Sequence, residues 1–192
     1  MITWVKKARG LLILLLGLFL IQGCSDESNS ESTGSFTIEI TGDVNKTIEG
    51  TAIFGGATDP ETNQSGFVLV MSTADDPEQS SGTSEGVWIG TDDSDRPGEG
   101  TYSLLNTDNY EEGDSGFWGF SFLNEGQQMS TIIYSTSGSV EITSSSSDNV
   151  SGTFTMQAEG FRTSGQGSEE ITVTLSGDFS AIGGNAFVPG SF

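Results

Sequence analysis

From Phe36 onward apolar and polar residues alternate with a period of two, and this constrains the fold more than any other feature. Phe36, Ile38 and Ile40 alternate with Thr37, Glu39 and Thr41. Ile48, Gly50, Ala52 and Phe54 share one face of the next run. Val150, Gly152, Phe154, Met156 and Ala158 do so again, and Ile171, Val173 and Leu175 alternate with Thr172 and Thr174. This is the pattern of strands with one buried face. Shorter runs over 66–72, 86–91, 100–105, 116–123, 129–135 and 138–143 bring the total to about ten strands. Thr, Ser and Gly dominate, which suits turns and solvated strand faces rather than helices. The expectation is an all-β domain over 36–182, an antiparallel β-sandwich, with a closed β-barrel as the alternative. A domain of about 150 residues buries roughly 68–70% of its extended-chain surface, enough for one core without disulfides.

Two runs lack the alternation. Phe67-Val68-Leu69-Val70-Met71 is apolar throughout, and Phe117 to Leu123 has Trp118, Phe120 and Phe122 on one side with Phe117 and Leu123 on the other. Strands apolar on both faces are central in a packed sheet or line a ligand cavity. An internal echo accompanies them. Ile38-Glu39-Ile40-Thr41 and Val140-Glu141-Ile142-Thr143 each precede a polar turn and a second strand, Ile48-x-Gly50-Thr51 and Val150-x-Gly152-Thr153. A duplicated hairpin with conserved inward parity would produce this, as would the general abundance of Thr, Gly and β-branched residues in sheets.

Composition removes several kinds of chemistry. The chain has no histidine and a single cysteine, Cys24. Ser-His-Asp and Cys-His catalysis, zincin-type metal sites and the usual zinc ligand sets therefore fall away. All 27 acidic residues follow Cys24, where only Lys46, Arg96 and Arg162 oppose them. Such an excess repels nucleic acid and anionic headgroups. It resembles the composition of proteins from salt-adapted bacteria, whose acidic surfaces stay hydrated in brine, where the Debye length falls to ~3 Å at 1 M salt.

Three kinds of site can be drawn from what remains. The loop Thr91 to Glu99 concentrates Asp92, Asp93, Asp95 and Glu99. Calcium takes six to eight oxygens, which such a loop could supply, although the spacing is not that of an EF-hand; otherwise the loop is solvated surface. Trp88, Trp118, Phe120, Phe122 and Tyr134 lie on strands, with Tyr102 and Tyr110 near them. A row of exposed aromatics on a flat sheet face would stack on sugar rings; the same residues turned inward are core. Finally, Glu39, Glu141 and Glu159 lie on strands and are the carboxylates a glycoside hydrolase would draw on. Each falls on the polar parity, where a carboxylate in water gains nothing that would raise its pKa for acid catalysis.

The N-terminus carries an address. Lys6, Lys7 and Arg9 precede an apolar run from Leu11 to Ile21, the pattern of a secretory signal, and the run is only about half the ~20 residues a membrane helix needs. Ile21-Gln22-Gly23-Cys24 resembles the lipobox of bacterial lipoproteins. That resemblance implies a signal peptide over 1–23 and cleavage before Cys24, which becomes a lipidated (palmitate-bearing) N-terminus. Residues 24–35 then form a flexible acidic tether of about 18 Å reach. Ser25 after the cysteine implies passage to the outer membrane of a Gram-negative cell, and Ser25-Asp26-Glu27 resembles the acidic export signals of surface-displayed lipoproteins. The expected location is that membrane, on its periplasmic face or the cell surface. The tail 183–192 reads as coil. The chain is similar to uncharacterised single-domain envelope lipoproteins, which implies no activity. The function expected first is a monomeric, non-enzymatic binding or structural β-sandwich that contacts a glycan or an envelope protein, with no cofactor beyond a possible calcium ion. A barrel carrying a small apolar ligand, lined partly by Phe67, Leu69, Phe120 and Phe122, is the alternative. A carboxylate-dependent glycoside hydrolase is the third.

Overall fold

The computed structural model describes residues 34–58, 65–74, 84–111, 114–124, 130–165 and 167–184. Cys24 and most of the tether lie outside the described residues, as do 185–192. Nine strands follow in order: β1 (Ser35–Gly42), β2 (Lys46–Thr58), β3 (Ser65–Ser72), β4 (Gly86–Thr91), β5 (Gly100–Leu104), β6 (Trp118–Asn124), β7 (Ser130–Ser145), β8 (Asn149–Ser164) and β9 (Gly167–Gly183). One 3-10 turn, Thr107–Asn109, sits between β5 and β6.

The expected all-β antiparallel fold is present, as one sheet in the order β5-β7-β6-β4-β3-β2-β1-β9-β8. β8 also pairs with β7 from Ser130↔Thr163 to Ser145↔Val150, so the hydrogen-bonded circuit returns on itself and β5 is appended to the far half of β7. The ladders are antiparallel except at Ile53↔Ile182 and Phe54↔Gly183, where β2 and β9 meet beyond the start of β1, and an isolated parallel bridge joins Leu104 to Phe117. The inner faces pack against one another across a shared core, in the manner of a sandwich.

The strand parity read from the sequence puts the expected residues in that core. Ile38, Ile40, Leu69, Met71, Ile89, Leu123, Ile133, Met156 and Leu175 are fully buried. Each fully buried aliphatic side chain contributes roughly 1.5–3 kcal/mol from its transfer out of water. One inward row, Ala52↔Met71↔Val87↔Ser121↔Ile133↔Gly160↔Ile171, crosses seven strands in register. Its one hydroxyl, that of Ser121, donates to the Gly86 carbonyl at 2.8 Å, so it is buried with its hydrogen bond made.

The two short runs expected over 129–135 and 138–143 are halves of the single strand β7. Ser135-Thr136-Ser137-Gly138 has turn composition but forms an irregularity in the β7–β8 ladder, with a register shift between Ser135 and Ser137 and Gly138 at φ 149°. A β-bulge lets a strand bend without ending it. Ser135, just before it, keeps the inward parity of Thr131 and Ile133, and its Oγ accepts from the Gly119 N–H (3.0 Å), donates to the Leu105 carbonyl (2.7 Å) and lies 2.9 Å from Thr107 Oγ1. The 3-10 turn is thereby tied to β6 and β7. With these halves joined, the described residues hold nine strands, in keeping with the expected count of about ten.

The echoed segments form β1–β2 and β7–β8, both hairpins with their apolar residues inward. Their registers differ: Ile38 faces Ile48, whereas Val140 faces Phe154 rather than Val150.

Candidate binding face

Because parity in a strand is strict, a run that is apolar at consecutive positions must put half of its side chains outside the core. β3 and β6 do this. Val68, Val70, Trp118, Phe120 and Phe122 point outward, and with Ile53, Trp88, Ala57 and Ile182 they make a second hydrophobic cluster on the outer surface of the sheet. Phe67 and Leu69 face the main core. An apolar interior lined by Phe120 and Phe122 is therefore corrected: these rings lie on the opposite face from Phe67 and Leu69.

Register lines the outer residues up. Ile53↔Val70↔Trp88↔Phe120↔Tyr134↔Glu159 form one cross-strand row over six strands. Within it Trp88 stacks on Phe120 at 4.6 Å and 19°, and Phe120 on Tyr134 at 6.2 Å and 29°. Aromatic pairs of this kind contribute about 0.5–1.5 kcal/mol beyond their buried area. A second row, Gly86↔Phe122↔Ile132↔Phe161↔Glu170, runs beside the first. Two glycines make room for the indoles. A Cβ at Gly90 would fall inside the Trp118 ring opposite it, and one at Gly86 would come within 2.9 Å of Trp88.

Burial is graded along this face. Val68 and Val70 are 1% exposed and Trp88 8%, whereas Ile132, Tyr134 and Phe161 are 41%, 43% and 54% exposed. Trp88 is thus corrected from a contact residue to a structural one, and its buried indole N–H has no hydrogen-bond partner. Trp118, Phe120 and Phe122 are part-buried, and Tyr134 is open to solvent.

Sequence reasoning missed Ile132 and Phe161. A signal for each was present. Ile132-Ile133 are adjacent in a strand, so one of them must face out. Phe161 lies on the odd parity of β8, opposite to Phe154, Met156 and Ala158. At this exposed end a groove of 320 Å³ opens between Tyr134 and Phe161, and Asn106, Asp108, Glu159 and Glu170 supply its polar groups. Asn106 and Asp108 come from the start of the 3-10 turn, where the Asn106 Oδ1 accepts from the Asp108 N–H at 2.9 Å.

The acidic loop lies elsewhere. Asp93 uses its carboxylate locally, with its Oδ1 accepting from the Asp95 N–H at 2.9 Å and its carbonyl accepting from the Phe67 N–H at 2.9 Å. Arg96 Nε donates to Ser145 Oγ (3.1 Å), which donates to the Pro97 carbonyl (2.6 Å), pinning the loop to the end of β7. Among the described residues no group of three or more carboxylates converges as a metal site. Glu39, Glu141 and Glu159 are exposed on three different strands, β1, β7 and β8.

Near this loop the hydroxyl of Tyr110 is enclosed without a well-formed hydrogen bond, although the residue as a whole is only partly buried. Burial first, then the neighbouring Asp92 carboxylate, push its pKa up from the ordinary 10 to about 12. The folded state therefore holds this proton more tightly than the unfolded chain does. The stability this lends is complete below the unfolded value and is lost as pH rises from about 10 to about 12. The urea midpoint should fall across that window, and Tyr110→Phe should flatten the fall. An unchanged slope in the variant would assign the loss to other groups.

Together the fold and the outer face define an all-β domain that carries a graded aromatic platform on one sheet surface. Comparison with known family models, curated proteins and solved structures finds no match to this chain.

Proposed function

We propose that this protein is a non-enzymatic binding module of the bacterial envelope whose outer aromatic face stacks on a glycan. One observation carries the reading. The row Trp88–Phe120–Tyr134 is stacked and in register, is buried at one end, and at the other reaches solvent beside Phe161 and a polar groove. Apolar surface left open on a soluble domain marks a contact site, because such area is otherwise removed from water. The faces of sugar rings match it: they are apolar, and their rim hydroxyls can donate to Asp108, Glu159 and Glu170 and pair with Asn106.

Residues 1–23 serve as the export signal and Cys24 as the lipid anchor, which together place the domain on the outer membrane. Acyl chains contribute about 0.8 kcal/mol per buried methylene, so several on one cysteine give lasting attachment. Cys24→Ala should release the protein into soluble fractions or leave an uncut precursor. A correctly cut variant that still partitions into detergent would overturn the anchor.

The binding reading is tested by co-sedimentation of the domain with insoluble polysaccharides of neutral, acidic and basic charge and by gel retardation in soluble ones. Retention that depends on Tyr134 and Phe161 is the expected result. A domain that passes all of them unretarded would refute the glycan reading.

A further inference from the structure

Resting on that glycan reading, we infer that the ligand carries protonated amino groups: an amino-sugar oligomer rather than a neutral or acidic one. The argument comes from what surrounds the exposed aromatics. Tyr134 pairs with Glu159 and Glu159 with Thr172, while Ile132 pairs with Phe161 and Phe161 with Glu170. On the outer surface this makes a checkerboard in which each aromatic has a carboxylate beside it. Glu159 and Glu170 are diagonal neighbours, a relation that places residues about 7–8 Å apart and within reach of long side chains. Asp108 adds a third carboxylate to the same groove.

The three cations that follow Cys24 are committed elsewhere. Lys46 pairs with Glu85 and donates to the Asn124 carbonyl at 3.2 Å. Arg162 pairs with Glu169 at 2.7 Å and donates to the Asp43 carbonyl at 2.9 Å. Arg96 is bound to Ser145 at the acidic loop. No lysine or arginine lines the groove among the described residues. Charges of one sign in a concave site focus the field and draw in the opposite sign. An ammonium group held between Glu159 and Glu170 would also lie against Tyr134 or Phe161, whose ring faces attract cations. An anionic glycan meets repulsion from the same groups, and so does a second copy of this acidic chain. The occupant is a sugar rather than a basic peptide because the groove beside Tyr134 and Phe161 also carries the Asn106 amide and the Thr136 and Thr172 hydroxyls, partners for the hydroxyls of a sugar as well as for an ammonium group.

The test uses the lipid-free domain and three probes by calorimetry at mildly acidic pH and low salt. They are a glucosamine oligosaccharide, its fully N-acetylated counterpart of equal length, and an oligolysine of equal charge. The amino oligosaccharide should bind about tenfold more tightly than the acetylated one, the gain expected of cation–π contact and surface ion pairing. The gap should close as salt approaches 1 M, where the Debye length is ~3 Å. Glu159→Gln with Glu170→Gln should bring the two affinities together, and a gap of undiminished size in that double variant would overturn the inference. Equal or tighter binding of the acetylated oligomer would overturn the inference while leaving the glycan platform standing. Oligolysine bound as tightly as the amino oligosaccharide would overturn the sugar as the source of the charge. If neither oligosaccharide nor any neutral polysaccharide binds, the platform reading itself falls.

Discussion

Trp88→Ala should lower the unfolding free energy by about 3–5 kcal/mol, the range for removing a buried large aromatic from a packed site. Trp88 is 8% exposed, stacks on Phe120 at 4.6 Å, faces Val70 across the β3–β4 ladder and fills the space above Gly86. Its loss would uncover Val70 and remove the ring on which Phe120 rests. Trp88→Phe sharpens the test. The buried indole N–H has no partner, so the native residue carries a desolvated donor worth about 1–3 kcal/mol. Phenylalanine keeps the stack and discards that donor, and the two effects offset each other. The smaller ring leaves a cavity that lowers stability while the lost donor restores some of it, so the variant should lie within about 1.5 kcal/mol of the parent. Urea denaturation of the three proteins measures both. A Trp88→Phe loss as large as that of Trp88→Ala would mean that the N–H is engaged.

The other end of the same row should behave in the opposite way. Tyr134 and Phe161 are 43% and 54% exposed, so replacing both with alanine should change stability by only about 0.5 kcal/mol each. Polysaccharide binding should instead fall by about tenfold or more, given roughly 0.5–1.5 kcal/mol for each aromatic contact and 1.4 kcal/mol for each factor of ten. Affinity electrophoresis alongside urea denaturation separates the two readouts. Binding that survives the double change would move the contact away from this face. Stability lost with it would show that these rings are held by the fold rather than offered to a ligand.

The fold was readable because parity is local. In β1, β8 and β9 the alternation of Ile38, Phe154 or Leu175 with Ser, Thr and Glu needs only the chain's own geometry to decide which side faces in. β7 was read as two strands because Ser135-Thr136-Ser137-Gly138 has turn composition. What keeps it one strand is β8 running alongside without interruption, a tertiary constraint that no window of β7 contains. The site divided in the same way. Trp118, Phe120 and Phe122 showed that one strand had a second apolar face, but not whether that face met core or water. Trp88 and Tyr134 share a register row yet differ in burial, 8% against 43%, because cover on the outer surface is set by what lies across the sheet. The groove escaped notice because Glu159, Glu170 and Asp108 come from three separate segments and meet only through the β8–β9 register and the 3-10 turn. The acidic loop stands out by composition, and its hydrogen bonds tie it to β3 and to the end of β7.

The pairing of β1 with β9 has a kinetic consequence. Ser35 lies against Ser180 and Ile40 against Leu175, so the first strand of the sheet is held by the last. The hairpins β1–β2, β7–β8 and β8–β9 need only short loops to form, whereas the β1–β9 pairing must wait until nearly all of the intervening chain has become available. Loop-closure entropy of that kind places sheets dominated by distant pairings among the slower folders, on the order of milliseconds to seconds. A chain threaded through a membrane from its N-terminus would therefore emerge with β1 and β2 unsheltered and could complete its circuit only after β9 arrived. Until then the apolar residues of β3 and β6 would be open to wrong partners.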